Sequence, residues 1–563
     1  MSLSHTSVAT ASNTRESKRP RPEDEGLSES ESGDLPMPPE MRETKRLRTQ
    51  GPAPLPAPSI RSIDRIPVEI WNQIFTYCLP EIRFLKPSVA TAPLLLGRIC
   101  KLWRDISITT PTLWSYLEIH YGREVNETNK DDTEMTNTLV PSLATTRQWL
   151  QRAKSTPLSI KFARTSSWTP LTGPPDPPYV LDLIFGTMKQ WRDVYLTVPE
   201  TEEKGLCKVL EKHGGEAPLL ETFLIDTGAS EEDLPGGPPE VLSRALWNIA
   251  ATSSTLRSLS VLGVSSFVNS SVTLDLSGYK QLSVIDLINQ ISAKDTLSIL
   301  QCASNIEYCS LSCVSTPRAT GLVEHVVLPR LKDLRLQGVL VDTAWCGSFE
   351  SILANITAPM LSTLYLARVD EWPHRTLLSF IQRSQCNIQT LALLSAAVHT
   401  VPDSRDPDEL IELLSVVPTV EYLWLDIQRI TTRIGMTPRE VNMLGMWNRE
   451  TKSFVYYPNL RVMAFSCKQV NTFTRGFLKA LASVLSARWK RPGQGRTFRK
   501  LIMDRQNVRD HQNNQVPDTE KSIARIIKLR NAGLVVEWDR WTEFDDVNSL
   551  QYDDTREAGR WRL

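Results

Sequence analysis

Along most of this chain the apolar positions repeat one figure, apolar-x-x-apolar-x-apolar, separated by polar turns and amphipathic stretches. It occurs at Trp191/Val194/Leu196, Leu220/Phe223/Ile225, Leu256/Leu259/Val261 and Leu282/Ile285/Leu287. It continues at Ile306/Cys309/Leu311, Leu331/Leu334/Leu336, Leu361/Leu364/Leu366 and Ile388/Leu391/Leu393. Val420/Leu423/Leu425, Leu460/Met463/Phe465 and Phe498/Leu501/Met503 complete the series, with starts 24 to 40 residues apart. Alternation at period two within each figure predicts a strand with one buried face. Helical periodicity predicts helices between them over Glu240–Ile249, Ala293–Gln301, Thr376–Arg383, Glu409–Val416 and Gly476–Trp489. Pro218, Pro329, Pro359, Pro418 and Pro458 stand at the mouths of strands. A helix over Thr145–Ala153 and a strand over Leu158–Phe162 form the first beat; a helix near Ser522–Arg530 and a strand over Gly533–Trp538 form the last.

Strand and helix alternating at this period are the signature of a leucine-rich-repeat solenoid, in which each repeat buries its apolar side chains against the next. The expected fold class is therefore α/β, with one parallel sheet on a concave side over residues 143–541. The Asn that normally follows the strand in such repeats is mostly absent, Asn289 being the nearest match, so the array is expected to be irregular. Side chains between the buried ones point to the opposite face. Those are Tyr308, Asp333, Arg335, Thr363, Tyr365, Tyr422 and Trp424, with Asp286. Tyr, Trp and Arg are favoured interface anchors, so these are the candidate target-binding residues; an insertion or long helix covering some of them is the structural alternative.

Residues 61–120 switch to a helical period. Ile70, Ile74 with Phe75, and Tyr77 with Cys78 form one amphipathic face after Pro67. A second helix is expected from about Ala92 to Ile106, and a third turn after Pro111 places Leu113 and Trp114. Three short helices in about fifty residues are marginal alone. Residues 121–142 are polar and acidic and read as an exposed loop, 505–520 as a polar loop and 542–563 as a charged tail. Residues 1–60 are rich in Ser, Pro and charge and are expected to be disordered. Two basic clusters within them, Lys18-Arg19-Pro20-Arg21 and Lys45-Arg46-Leu47-Arg48, read either as nuclear import signals or as solvated charge runs. Ser28, Ser30 and Ser32 are candidate phosphorylation sites beside them.

Composition narrows the function classes. Lys plus Arg (64) equals Asp plus Glu (64), so no global field argues for nucleic acid or a membrane surface. No apolar run approaches the ~20 residues of a membrane span, and the N-terminus lacks a signal core. The nine Cys lack a pairing rhythm, and Cys302, Cys309 and Cys313 lack a zinc ligand set, so they read as buried free thiols. The expected setting is a soluble, reducing compartment, nuclear and/or cytoplasmic. The seven His sit near no Cys/Asp constellation, and Gly214-Gly215 and Gly236-Gly237 lack a following Gly-Lys-Ser, so neither an enzyme nor a cofactor is expected.

Pro67, Glu69, Ile70, Ile74, Phe75 and Leu79, then Leu95, Cys100, Lys101, Trp103, Arg104, Pro111, Leu113 and Trp114, match the F-box pattern residue by residue. The layout resembles the F-box-plus-leucine-rich-repeat proteins of mushroom-forming (basidiomycete) fungi, where a Trp-Leu-x-Arg-Ala helix and Pro-Leu-Ser-Ile strand follow, as Trp149 to Ile160 do here. Ile66 and Trp71 stand where Leu is usual, and the insertion Pro80–Pro93 is typical of that group. The resemblance implies a non-catalytic substrate-recognition subunit of an SCF (Skp–cullin–F-box) ubiquitin ligase. Pro67, Glu69, Ile70, Ile74, Phe75, Leu79, Leu95, Cys100, Trp103, Leu113 and Trp114 would engage a Skp-type adaptor and through it a cullin, while the repeats hold a protein target. The alternative is a leucine-rich-repeat scaffold whose helical cassette engages no ligase.

Overall fold

The computed structural model describes residues 66–123, 137–164, 177–198, 203–226, 249, 252–262, 277–291, 293–313, 325–341, 344–346, 349–367, 373–394, 409–426, 437–466, 475–490, 498–504 and 517–539. The tail 1–60 with its basic clusters and serines, the 542–563 tail and the helix expected over Glu240–Ile249, save Ile249, lie outside them.

The described chain is a mixed α/β fold built on a sixteen-stranded, mostly parallel sheet. Its strands are β1 (Tyr116–Arg123), β2 (Asn137–Val140), β3 (Leu158–Arg164), β4 (Trp191–Thr197), β5 (Thr222–Asp226), β6 (Ser258–Leu262), β7 (Val284–Ile291) and β8 (Tyr308–Cys313). After the short β9 (Val326–Val327) come β10 (Asp333–Val341), β11 (Ala344–Cys346), β12 (Ile356–Thr357), β13 (Thr363–Ala367), β14 (Thr390–Leu394) and β15 (Tyr422–Asp426). The hairpin β16 (Trp447–Asn448) and β17 (Ser453–Phe454) precedes β18 (Val462–Ser466), β19 (Lys500–Asp504) and β20 (Val535–Asp539). From β1 onward the main strands lie in sequence order; only β2 and β11 join antiparallel.

That order follows from the apolar figure. In all eleven triads every side chain is buried, and all belong to one hydrophobic cluster. Successive triads sit opposite one another, as Leu334 does with Cys309 and Leu364. The helices between contribute Leu297 and Leu300, Leu377 and Phe380, Leu410 and Leu413, and Phe477 and Leu481 to the same cluster. At four strand mouths the first triad residue donates its N–H three residues back, from Leu220 to Ala217, Leu331 to Leu328, Leu361 to Ala358 and Leu460 to Tyr457, at 3.1–3.3 Å. Pro218, Pro329, Pro359 and Pro458 occupy the second position of those turns, where a fixed φ is an advantage.

Helices span Leu143–Ala153, Ala293–Cys302, His374–Ser384, Glu409–Val416, Arg475–Lys490 and Pro517–Asn531, close to the periodicity-based expectations. The polar stretch expected as a loop over 121–142 differs: Tyr121–Arg123 extends β1, and Asn137–Val140 returns as β2. A boundary at residue 120 therefore cuts a strand. The polar loop expected over 505–520 gives way at Pro517 to a helix. Helices at Pro177–Phe185, Glu203–His213, Glu350–Asn355 and Pro438–Met443 add to those expected.

Candidate functional site

Two regions carry the chemistry expected of this chain, and each is built from the backbone upward. The first is the helical segment before β1. Pro67 caps a helix over Val68–Tyr77, its carbonyl accepting from Ile70 and Trp71, and Glu69 lies in the first turn, where the helix dipole favours an acid. The second expected helix, Ala92 to Ile106, is broken. Leu96–Ile99 forms one turn, Cys100 is extended, and Lys101–Thr109 starts again with the Cys100 sulfur accepting the Trp103 N–H at 3.4 Å. Cysteine here does the work of a helix N-cap. Pro111–Trp114 then makes a single 3₁₀ turn.

Burial sorts the eleven residues expected to engage an adaptor. Phe75 (0 % exposed), Leu113 and Trp114 are core, a correction to their expected place on a docking surface. Trp114 donates its indole N–H to the Ser107 carbonyl at 2.8 Å and meets Trp149 edge-on at 4.7 Å. Leu79 and Trp103 are half-buried against the same cluster. Pro67, Glu69, Ile70, Ile74, Leu95 and Cys100 are exposed. Trp71 turns inward, its ring 5.6 Å from Phe75 and 5.3 Å from Trp103. That leaves an outward apolar stripe of Ile70 (44 % exposed), Ile74 and Tyr77 at helical spacing. Leu95 (40 %), Ile99 (56 %) and Leu102 extend the exposed apolar surface onto the following turns.

The insertion Pro80–Pro93 has a place that its sequence does not announce. It crosses to the polar side of the sheet, where Arg83 donates to Asp193 Oδ1 at 2.5 Å, to Thr222 Oγ1 at 2.6 Å and to the Tyr195 hydroxyl at 2.8 Å. Phe84 packs on Tyr195 with ring centroids 4.6 Å apart, and Leu85 accepts the Glu118 N–H at 2.8 Å. Asp193 is also met by Ser159 and Arg192. Burial alone pushes the Asp193 carboxyl up, but Arg83, Ser159 and Arg192 together hold it below the usual range.

On neighbouring strands, Glu118 accepts from His120 at 3.1 Å and from Lys161 at 3.0 Å. The His120 contact and then Lys161, working against burial, hold its carboxyl down at about 2. A carboxyl depressed in the folded state lends stability that is present above its unfolded value of about 4.3 and is lost as pH falls toward 2. Glu118→Gln is expected to flatten that acid limb by about 1 to 2 kcal/mol, the full shift being reduced by solvent screening. Urea melts of both proteins from pH 5 to pH 2.5 measure it, and parallel curves refute it.

The second region is the polar face at mid-sheet. Strand register sets Tyr308 opposite Asp333, Asp333 opposite Thr363, and Arg335 opposite Tyr365. Arg335 (8 % exposed) clasps Asp333 through Nε at 2.9 Å and Nη2 at 3.0 Å and lies 5.1 Å from the Tyr308 ring centre. Burial pulls its guanidinium down, but Tyr308, Asp333 and Asp286 raise it above the ordinary value. Tyr365 and Trp424 meet edge-on at 6.4 Å across the strand that carries Ala392. Tyr422 stands in the same register row as Thr390, one strand earlier. All eight expected target-binding residues thus lie on strands of one sheet, at positions alternating with the buried triads.

Among the described residues no group of three His, Cys, Asp or Glu is placed to hold a metal ion. Cys309 is buried and Cys302 half-buried. No described helix is long and apolar enough to cross a membrane. No protein-family model matches the chain, and no curated protein is significantly similar to it.

Proposed function

We propose that this chain is an F-box-like substrate receptor of an SCF-type ubiquitin ligase. In this reading residues 66–114 dock on a Skp-type adaptor, which brings a cullin, and the strand–helix array is an irregular leucine-rich-repeat solenoid that holds a protein target. The observation that carries the reading is the outward apolar stripe of Ile70 and Ile74, with Leu95, Ile99 and Leu102 exposed on the turns that follow, on a segment whose Trp71, Phe75, Ile106, Leu113 and Trp114 are packed inward. Exposed apolar groups gathered on one short segment mark an interaction surface, and a few such anchors dominate an interface. The chain then needs no nucleophile. Holding a target near a ubiquitin-charged enzyme raises its effective concentration.

The burial of Phe75, Leu113 and Trp114 favours a second reading, a leucine-rich-repeat scaffold whose helices only cap the first strands. One pull-down separates the two. A Skp-type adaptor should recover the wild-type chain, and Ile70→Asp/Leu95→Asp should cut recovery at least tenfold. Because both side chains are exposed, thermal melting of the variant should stay within a degree or two of wild type. Equal recovery of both proteins, or of neither, sinks the receptor reading.

A further inference from the structure

Strand register turns the polar side of β4 and β5 into a grid of two rows. Asp193 stands opposite Thr222, and Tyr195 opposite Leu224. The insertion lays one side chain on each row. Arg83 bonds Asp193, Thr222 and the Tyr195 hydroxyl, so three acceptors on two strands converge on one guanidinium. That guanidinium also lies 5.2 Å from the Tyr195 ring centre, within cation–π range. Phe84 covers the second row, and with Tyr195 and Leu224 it forms a small apolar cluster apart from the main core. The two oxygens of Asp193 divide the work: Oδ1 faces Arg83, while Oδ2 takes Arg192 and Ser159.

The sheet does not need this occupant for its core. The triads of β4 and β5 are buried on the other face, within the main cluster. Around the Arg-Phe pair the strap is open, with Ile82, Glu81 and Lys86 exposed. Leu79 and Leu85 tie it to the main core at either end, so the pair can lift without unfolding the sheet beneath. Lifting uncovers Asp193 Oδ1, the Thr222 and Tyr195 hydroxyls, and the side chains of Tyr195 and Leu224 together. Converging acceptors suit the planar fork of arginine better than the point charge of lysine. The row beside them suits an aromatic ring.

We propose that this two-row grid is a binding site for a protein segment carrying an arginine followed by an aromatic residue, and that Arg83-Phe84 occupies it as an internal competitor. The seated strap identifies the ligand, because its arginine answers the polar row and its ring the apolar one. A target carrying the same pair must displace the strap. The threshold is high, since a tethered occupant has an effective concentration of about a millimolar. The site names the target chemistry of the receptor reading, and it rests on the sheet being the target-binding part but not on adaptor docking.

A fluorescein-labelled peptide, Pro-Glu-Ile-Arg-Phe-Leu-Lys-Pro-Ser, copies residues 80–88 and probes the full chain by fluorescence anisotropy. It should bind Arg83→Gly/Phe84→Gly, in which the grid is vacated, at least tenfold more tightly than wild type. Adding Asp193→Asn to that variant should weaken binding at least fivefold, as should lysine in place of the peptide's arginine. A scrambled peptide of the same composition should bind neither protein. Equal binding to wild type and the double variant, binding to neither, indifference to Asp193→Asn, or equal binding of the scrambled peptide overturns the proposal. A second measurement uses the wild-type chain and does not depend on the variant folding. Peptide at about 1 mM, the scale of the strap's own effective concentration, should raise hydrogen exchange across residues 81–85. Unchanged exchange there overturns displacement of the strap. Ile70→Asp/Leu95→Asp should match wild type in both measurements, so failure of adaptor docking and failure of this site are read separately.

Discussion

Replacing Arg488 by methionine is expected to cost about 3 to 5 kcal/mol of stability, from the loss of three buried hydrogen bonds to a charged donor. Arg488 is buried on the helix Arg475–Lys490 and donates to three backbone carbonyls: Leu444 at 2.8 Å, Tyr457 at 2.9 Å and Tyr456 at 2.6 Å. Its guanidinium also lies 4.2 Å from the Phe454 ring centre. No carboxylate among the described residues pairs with it, and burial pulls its guanidinium below the usual range. The carbonyls therefore hold the charge, and the charge in turn holds the hairpin between residues 444 and 457 against the helix. Methionine keeps much of the stem but takes the guanidinium donor from the Leu444 and Tyr456 carbonyls and leaves Tyr457 with the Leu460 N–H alone, each lost partner worth roughly 1 to 3 kcal/mol when buried. Lysine supplies donors from one point rather than from a planar fork, so Arg488→Lys should rescue less than half of the loss. Guanidinium chloride unfolding measures the difference. Hydrogen exchange should show amides from 444 to 460 losing protection first. A loss below about 1 kcal/mol, or exchange that rises uniformly, refutes the tether.

The parallel sheet was legible because its signal is redundant. Each figure places three apolar residues at fixed spacing, and a one-residue slip would expose all of them. Helix boundaries were close wherever amphipathic periodicity ran for at least two turns, as in Glu409–Val416. The failures share a cause: they occur where a polar contact or a local cap, not apolar period, decides the structure. Cys100 ends one helix and caps the next, yet it sits in an unbroken apolar rhythm from Leu94 to Ile106. β2 is composed of Asn, Thr, Leu and Val inside a polar run, and its pairing with β1 supplies what its composition does not. In the helical segment the pattern identifies the apolar positions of a helix. It does not say which of two apolar faces turns inward, and so Phe75 and Trp114 were expected beside Ile70 although only Ile70 is exposed. On the sheet, parity alone placed Tyr308, Arg335 and Trp424 on one face. The clasp of Arg335 on Asp333 required coordinates.

The Arg83–Asp193 contact belongs to the same class, since its partners are 110 residues apart and neither carries an apolar signal. Arg83→Ala is expected to cost about 2 to 4 kcal/mol, because it strips the main counter-charge from a carboxylate that is only 7 % exposed. Arg192 and Ser159 remain on Asp193 and keep the loss from being larger. Asp193→Asn alone leaves Arg83 with Thr222 and Tyr195 as acceptors and should cost less, about 1 to 2 kcal/mol. If the pair is a unit, Arg83→Ala/Asp193→Asn will be more stable than the two single losses predict, by about 1 to 3 kcal/mol. The acid limb supplies an independent check. Asp193 is held below its ordinary range, so its contribution is present above an unfolded value of about 3.9 and fades as pH falls. The cost of Arg83→Ala should therefore shrink as pH is lowered from 6 to 3. Additive losses, or a cost that does not vary with pH, refute the coupling. The consequence reaches beyond stability. Residues 80–93 connect the helix bearing Ile70 and Ile74 to the turns bearing Leu95 and Ile99, and Arg83 and Phe84 pin that connection to β4 and β5. Without Arg83, hydrogen exchange should rise across residues 80–93 first, while the amides of β10 to β15 keep their protection. The apolar stripe would then lose its fixed relation to the sheet while each remained intact.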